Sequence, residues 1–136
     1  ETVIDVGTGS GILGIAAAKL GAKHVVMTDI DYVAVKSAKH NCEMNGVADR
    51  CEVDLNNLLD EKKVKGQLLL ANITADVLLI LARSVEPHVE KGGVMVMSGI
   101  IRSREAEVIE KYRSLGFVPE ERKEKGEWVA LVMRKA

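Results

Sequence analysis

The chain is poor in cysteine, proline and aromatic residues, and it carries no excess of charge of either sign. Its two cysteines, Cys42 and Cys51, lack the spacing of a metal site, and such sparse cysteine use favours a reduced, cytoplasmic setting. The 19 Lys and Arg residues nearly balance the 20 Asp and Glu residues, so no direct nucleic-acid binding is expected. The apolar runs are too short to span a bilayer, and no signal peptide is recognisable, so no membrane contact is expected either.

The pattern of apolar residues predicts a single α/β domain. The 136 residues are 47% hydrophobic, which is enough for a sizeable core. Strands are predicted at 2–6, 24–28, 50–54, 67–71, 94–98, 117–123 and 128–134, and helices at 11–20, 31–45, 74–85 and 104–115. This alternation, closed by a β-hairpin, predicts a doubly wound, Rossmann-like, mostly parallel sheet with at least one antiparallel strand.

A glycine-rich loop, DVGTGSGILG, follows the first predicted strand, and it can be interpreted in two registers. Gly9, Gly11 and Gly14 match the G-x-G-x-x-G fingerprint of dinucleotide-binding proteins. Gly7, Gly9 and Gly11 instead form D-x-G-x-G-x-G, with Asp5 at the end of the strand. A carboxylate there would repel a pyrophosphate but suits a cationic cofactor such as S-adenosylmethionine. The second register is favoured, with Gly14 as a close-packing residue of the first helix, and a nicotinamide cofactor is the alternative.

Further polar residues follow the second and fourth predicted strands. Asp29 ends the second strand at the same edge as the loop, where a carboxylate can accept hydrogen bonds from ribose hydroxyls. Asp31 precedes a helix and is interpreted as its N-cap. Asn72 follows the fourth strand, which neighbours the first strand in the usual order, so its amide would face the loop across the crevice. The alternative roles are structural: Asp5 would bond nearby backbone N–H groups, and Asn72 would only turn the chain.

Five segments of the chain resemble a known family. In order along the chain they are VIDVGTGSGILGIAAAKLGA, TDIDYVAVKSAKHNCEMNGV, LLLANITADVLLILA, GGVMVMSGI and GEWVALVMRK. They resemble class I S-adenosylmethionine-dependent methyltransferases, and more narrowly the family that methylates large-subunit ribosomal protein eleven. The resemblance implies a seven-stranded sheet of order 3-2-1-4-5-7-6 with strand 7 antiparallel. It also implies cofactor contacts at Gly7, Asp29 and Asn72, and a weaker one to adenine at Asn57.

The resemblance further implies S-adenosylmethionine as cofactor and transfer of its methyl group to an amine of a ribosomal protein, on lysine or at the N-terminus. Residues 1–136 would form the cofactor-binding domain of a longer protein, without the N-terminal substrate-recognition domain of the family. Thr74 stands where the family commonly has an apolar residue. Asn72 is not followed by the Pro-Pro-Tyr of glutamine and nucleobase-amine methyltransferases.

Two other functions stay open at this stage: a nicotinamide-dependent oxidoreductase, and a cofactor-binding domain that is inactive without a recognition module. No catalytic side chain and no metal ligand is predicted. The predicted cofactor site comprises Asp5, Gly7, Gly9, Asp29 and Asn72.

Overall fold

A computed structural model describes residues 1–60 and 62–136. The strands are β1 (Thr2–Val6), β2 (His24–Asp29), β3 (Cys51–Leu55), β4 (Gly66–Asn72), β5 (Val89–Ile101), β6 (Phe117–Lys125) and β7 (Trp128–Lys135). The helices are α1 (Ile12–Lys19), α2 (Tyr32–Met44), α3 (Ala75–Leu81) and α4 (Glu105–Ser114). In the described ranges, no helix is both long enough and apolar enough to cross a membrane.

The seven strands form one sheet in the order β3-β2-β1-β4-β5-β7-β6. Strands β1 to β5 pair in parallel, and β7 runs antiparallel to both β5 and β6. The predicted fold class and strand order are therefore confirmed.

Helices cover both faces of the sheet, which explains why the central strands are almost entirely apolar. The core between one face and helices α1 and α2 includes Val25 and Met27 of the sheet and Ala38 of α2. The core between the other face and helices α3 and α4 includes Leu69 of the sheet, Leu78 of α3 and other fully buried side chains. Because the helices together cover both faces of the sheet, a ligand can reach the sheet at the strand ends.

The strand register brings the predicted site residues to one edge. Val6 at the end of β1 pairs with Thr28 of β2 on one side and with Ala71 of β4 on the other. The residues that follow these three positions are Gly7, Asp29 and Asn72. Three residues far apart in sequence therefore lie next to one another at the carboxyl ends of adjacent strands.

The two largest differences from the predicted boundaries are the start of β5 and the end of α3. Strand β5 begins at Val89, although the Gly92-Gly93 pair was expected to precede it. The structure accommodates both glycines in a register shift opposite Gly66 and Leu68, which leaves the strand continuous. Helix α3 ends at Leu81, earlier than predicted, since the following residues form tighter turns in which Ser84 donates to the Leu81 carbonyl.

The chain's two tyrosines allow a test of how α4 is held on α3. The buried Tyr112 hydroxyl donates to the Leu78 carbonyl at 2.7 Å, whereas Tyr32 is exposed. We expect Tyr112→Phe to lower the free energy of unfolding by about 1 kcal/mol, the net value of one buried hydrogen bond. Tyr32→Phe, the matched control, should leave it unchanged in urea denaturation. Equal midpoints for the two variants would contradict a stabilising role for this bond.

Candidate functional site

The glycine loop between β1 and α1 has a backbone that requires glycine. Gly7, Gly9 and Gly11 all lie in the left-handed region, with φ of 69°, 58° and 89°. Side chains would also collide, since a Cβ at Gly7 would lie 2.7 Å from Ile73 Cγ2 and one at Gly11 2.8 Å from Met27 Cε. A Cβ at Gly9 would meet nothing within 4 Å, so this glycine faces open space. The loop is thus a tight turn whose outer surface a ligand can approach closely.

Gly14 has a different role, in packing. It lies within α1, and a Cβ there would lie 2.9 Å from three side-chain atoms of Met27. The predicted close-packing role of Gly14 is confirmed. Its position in the G-x-G-x-x-G pattern therefore reflects contact between helix and sheet.

Asp5 lies beneath the loop and is only 1% exposed. Its Oδ2 accepts hydrogen bonds from Thr8 Oγ1 at 2.6 Å and from the Gly14 N–H at 3.0 Å. The structural alternative for Asp5, bonding nearby backbone N–H groups, is therefore present. Burial raises the pKa of Asp5 to about 6, against the opposing effect of these hydrogen bonds. Asp5 thus holds the loop from below and does not line the cleft described next.

Asp29 connects the loop to the end of β2. Its Oδ2 accepts from the Gly9 N–H at 2.9 Å, and its Oδ1 accepts from the Asp31 N–H at 2.9 Å. The amide of Gly9, a predicted cofactor contact, is thereby already engaged within the protein. Asp31 accepts from the Val33 N–H at 2.9 Å at the start of α2, which confirms its N-cap role.

A cleft of about 460 Å³ opens beside the loop at this edge of the sheet. It is lined by Gly7, Asp29, Ile30, Asn56, Asn57, Leu58, Ile73, Val77 and Ile80. The lining is mostly apolar, its charged side chain is Asp29, and it includes no Lys or Arg. Two of the predicted cofactor residues, Gly7 and Asp29, and also Asn57, are therefore brought together on the wall of one cleft.

Asn72 and Gly9 lie close to this cleft but do not line it. Asn72 is the exposed last residue of β4, paired with Ser98 of β5. The residue after it, Ile73, forms the cleft wall. Thr74, noted for its polarity, caps α3: its hydroxyl accepts from the Val77 N–H at 3.5 Å. This capping explains a polar residue at that position.

Two cleft residues after β3 were not among the predicted contacts. Asn56 Oδ1 is buried and has no hydrogen-bond partner among the described residues. Leu58 has a φ of 57°, a conformation that bulky residues seldom adopt and that clusters at ligand sites. The Asn56-Asn57 pair after β3 was a visible signal, but sequence alone did not distinguish which amide would be buried.

No metal cluster was found in the described ranges. No group of three or more His, Cys, Asp or Glu side chains there is arranged to hold an ion. The cleft wall itself offers the Asp29 carboxylate, the amides of Asn56 and Asn57, apolar side chains and the backbone of Gly7.

The strand order, the loop after β1 and the carboxylate after β2 are those of a class I, Rossmann-like methyltransferase fold. An RNA methyltransferase from Salinibacter ruber, solved with S-adenosyl-L-homocysteine, has this fold with a TM-score of 0.78 at 20% identity, over 99% of this chain and 80% of that one. Ribosomal protein L11 methylase from Lactobacillus delbrueckii subsp. bulgaricus superposes with a TM-score of 0.94 at 36% identity, over 99% of this chain and 70% of that one.

The chain belongs to the ribosomal protein L11 methyltransferase (PrmA) family, whose sequence profile matches residues 1–136. The L11 methyltransferase of Desulforamulus reducens is 49% identical over 96% of this chain and 42% of its own length. That of Clostridium perfringens is 47% identical over 98% of this chain and 42% of its own. The chain thus spans about two fifths of these relatives' length. The predicted family is confirmed, and the nicotinamide alternative receives no support.

The buried carboxylate of Asp5 leads to a prediction about pH. Because its folded pKa of about 6 is above the ordinary 3.8, ionisation of Asp5 costs stability as the pH rises through this window. Asn in its place stays neutral and can still accept from Gly14. We expect the stability of Asp5→Asn relative to the wild type to rise by about 1–3 kcal/mol from pH 4 to pH 7. Urea denaturation of both proteins at several pH values measures this difference, and a difference independent of pH would contradict the raised pKa of Asp5.

Proposed function

We propose that residues 1–136 form the S-adenosylmethionine-binding catalytic domain of a ribosomal-protein N-methyltransferase. The observation that carries this proposal is the charge of the cleft, which has the Asp29 carboxylate and no basic side chain. A dinucleotide or triphosphate would bring several negative charges to such a surface with no cation to balance them. A cofactor with a cationic methionine end, a ribose and an adenine fits it.

The residues present fit each part of S-adenosylmethionine. Asp29 retains acceptor capacity beyond its two backbone bonds and can receive ribose hydroxyls. The unpartnered Asn56 Oδ1 can accept from the adenine amino group, and Ile30 and Val77 offer apolar surface for the ring. The backbone at Gly7 would face the methionine end. The cleft volume of about 460 Å³ also lies in the range of cofactor sites.

The chain's contribution to the reaction is to bind and orient. When bound, S-adenosylmethionine supplies a methyl group on a positively charged sulfur, and transfer to an amine breaks the carbon–sulfur bond with its electron pair staying on sulfur. In this proposal Asn72, at the end of β4 beside the cleft, accepts a hydrogen bond from the amine and holds the lone pair of the amine toward that methyl group. The amine must be neutral to react, and solvent at this open edge can take its proton.

The substrate is proposed from the family. The relatives are named for ribosomal protein L11, and we propose that the longer protein containing this chain methylates amino groups of that protein. A cytoplasmic location follows from such a substrate. The unmatched part of those relatives would hold the substrate-recognition domain.

Ligand-induced stabilisation tests the cofactor. S-adenosylhomocysteine at 100 times its dissociation constant should add about 2.7 kcal/mol to stability, and NADH should add nothing. Asp29→Asn should weaken S-adenosylhomocysteine binding by about tenfold to a hundredfold, the value of a lost hydrogen bond to a charged group. Asp31→Asn, two residues away and still able to cap α2, is the matched control and should bind normally. Stabilisation by NADH alone would overturn the proposal.

The adenine contact of Asn56 has its own test. S-inosylhomocysteine carries an oxygen in place of the adenine amino group, so it would oppose Asn56 Oδ1 with a second acceptor. The wild type should bind S-adenosylhomocysteine about tenfold more tightly than S-inosylhomocysteine, which corresponds to the loss of one hydrogen bond. In Asn56→Leu this preference should disappear, while the stability of the free protein holds or rises because an unpaired oxygen is gone. Calorimetric titration of both ligands measures it, and an unchanged preference in the variant would place adenine elsewhere.

A further inference from the structure

The chain's two cysteines lie together on the sheet face that α1 and α2 cover, toward the end of the sheet opposite the cofactor cleft. Cys51 is the first residue of β3, and Cys42 lies in the last turn of α2. Cys51 shares its sheet face with Val53, which pairs with Met27 of β2. The chain turns directly after Cys42, whose carbonyl accepts from the Val47 N–H at 3.0 Å, and it returns to the sheet at Cys51.

Both cysteines line one pocket of about 330 Å³ at the protein surface. They share its lining with Lys39, Glu43, Ala48 and Val53. Cys42 is only 2% exposed, whereas Cys51 is half-buried. A small thiol reagent that enters this pocket therefore reaches Cys51 first.

The two thiols are close enough to influence each other's ionisation. Burial raises the pKa of the Cys42 thiol to about 12, and the neighbouring Cys51 contributes to this rise. Burial also raises the pKa of Cys51, but a hydrogen bond with the Cys42 thiol and the charge of Arg50 oppose that rise. Cys51 is therefore the better nucleophile of the pair, because it is more exposed and its thiolate is less costly to form.

Met27 connects the two thiols to the glycine loop. Its Sδ lies 4.0 Å from Cys42 Sγ. The same side chain also packs against the loop, since a Cβ at Gly11 would lie 2.8 Å from Met27 Cε and one at Gly14 2.9 Å from Met27 Cγ, Sδ and Cε. Met27 is fully buried in a closely packed core. A displacement of Cys42 therefore acts on the loop through a single side chain.

We propose that Cys42 and Cys51 form an oxidisable dithiol, and that its disulfide weakens cofactor binding at the glycine loop. The effect on the cofactor rests on the proposed binding of S-adenosylmethionine. A disulfide holds two sulfurs closer than any non-bonded contact, so Cys42 Sγ moves toward Cys51 and away from Met27. The flexible thioether of Met27 follows into the vacated space, which leaves Gly11 and Gly14 less well supported.

The oxidant is a small disulfide such as glutathione disulfide. The Cys51 thiolate attacks one of its sulfurs, the sulfur–sulfur bond breaks, and one glutathione leaves as a thiolate with the electron pair. Cys42 then loses its proton to water and attacks Cys51 Sγ, which expels the second glutathione thiolate. The two leaving thiolates take up two protons, so two protein thiols are oxidised while one glutathione disulfide is reduced to two glutathione molecules.

Mass spectrometry after alkylation tests the disulfide. Because the chain has two cysteines, an intramolecular disulfide can only join this pair. With excess glutathione disulfide, the native wild type should lose two hydrogens and then resist iodoacetamide. Cys42→Ser should stop with one glutathione on Cys51, and the matched variant Cys51→Ser should stay unmodified because Cys42 is buried. A lasting glutathione adduct on the wild type, or equal modification of the two variants, would overturn the inference.

Calorimetric titration with S-adenosylhomocysteine tests the effect on the cofactor site. The oxidised wild type should bind this ligand about tenfold more weakly than the reduced protein, and dithiothreitol should restore the affinity. Cys51→Ser treated with glutathione disulfide is the control and should bind as it does without treatment. Met27→Leu lacks the terminal carbon that faces Gly11, so its oxidised and reduced forms should bind within about twofold of each other.

The outcomes separate this inference from the proposed function. If S-adenosylhomocysteine does not bind the reduced wild type, the proposed function fails, and the expected effect on the cofactor fails with it. If this ligand binds both forms of the wild type equally, the coupling through Met27 is wrong and the cofactor site stands. If it binds the reduced wild type but no intramolecular disulfide forms, the dithiol inference is wrong and the proposed function stands.

Discussion

The site depends on one buried carboxylate. Asp5, at the end of β1, accepts from the Thr8 hydroxyl within the loop and from the Gly14 N–H in the first turns of α1. A single side chain therefore ties together a strand end, a glycine turn and a helix start. Its ionised form is costly to bury, as the raised pKa shows. The two hydrogen bonds partly compensate this cost, and they also fix the path of the loop along the cleft.

A second carboxylate extends this arrangement from β1 to β2. Asp29 holds the loop through Gly9 and the start of the next segment through Asp31, while still lining the cleft. The Asp29 carboxylate thus holds the backbone of the site in place, and it is also proposed to bind the ribose of the cofactor. On the other side, the register of β4 places Asn72 next to the end of β1, where the loop begins. Cofactor and acceptor are proposed to meet at this edge, between two surfaces that the strand order brings together.

Features that depend on local chemistry could be predicted closely. Asp31 as a helix cap, Gly14 as a packing residue, and Asp29 beside the loop follow from short-range spacing, and the structure contains each of them. The cofactor role of Asp5 stays a prediction, because sequence shows that a residue lies near a strand end but not how deeply its side chain is buried. Asn56 was not predicted as a contact, because the sequence does not distinguish it from the adjacent Asn57. The structure shows that the turn after β3 buries the side-chain oxygen of Asn56.

The amino-acid sequence by itself determined the alternation of strands and helices, the loop that only glycine can form, and the family to which the chain belongs. These depend on periodicity and on single-residue conformational limits, which act over a few positions. Only the tertiary structure decided which polar atoms are left without partners, where the register of β5 shifts, and that Gly7, Asp29 and Asn57 line one cleft. Those features arise from contacts between segments distant in sequence, and the position of a bulge or of an unpartnered atom depends on how several of these segments pack together.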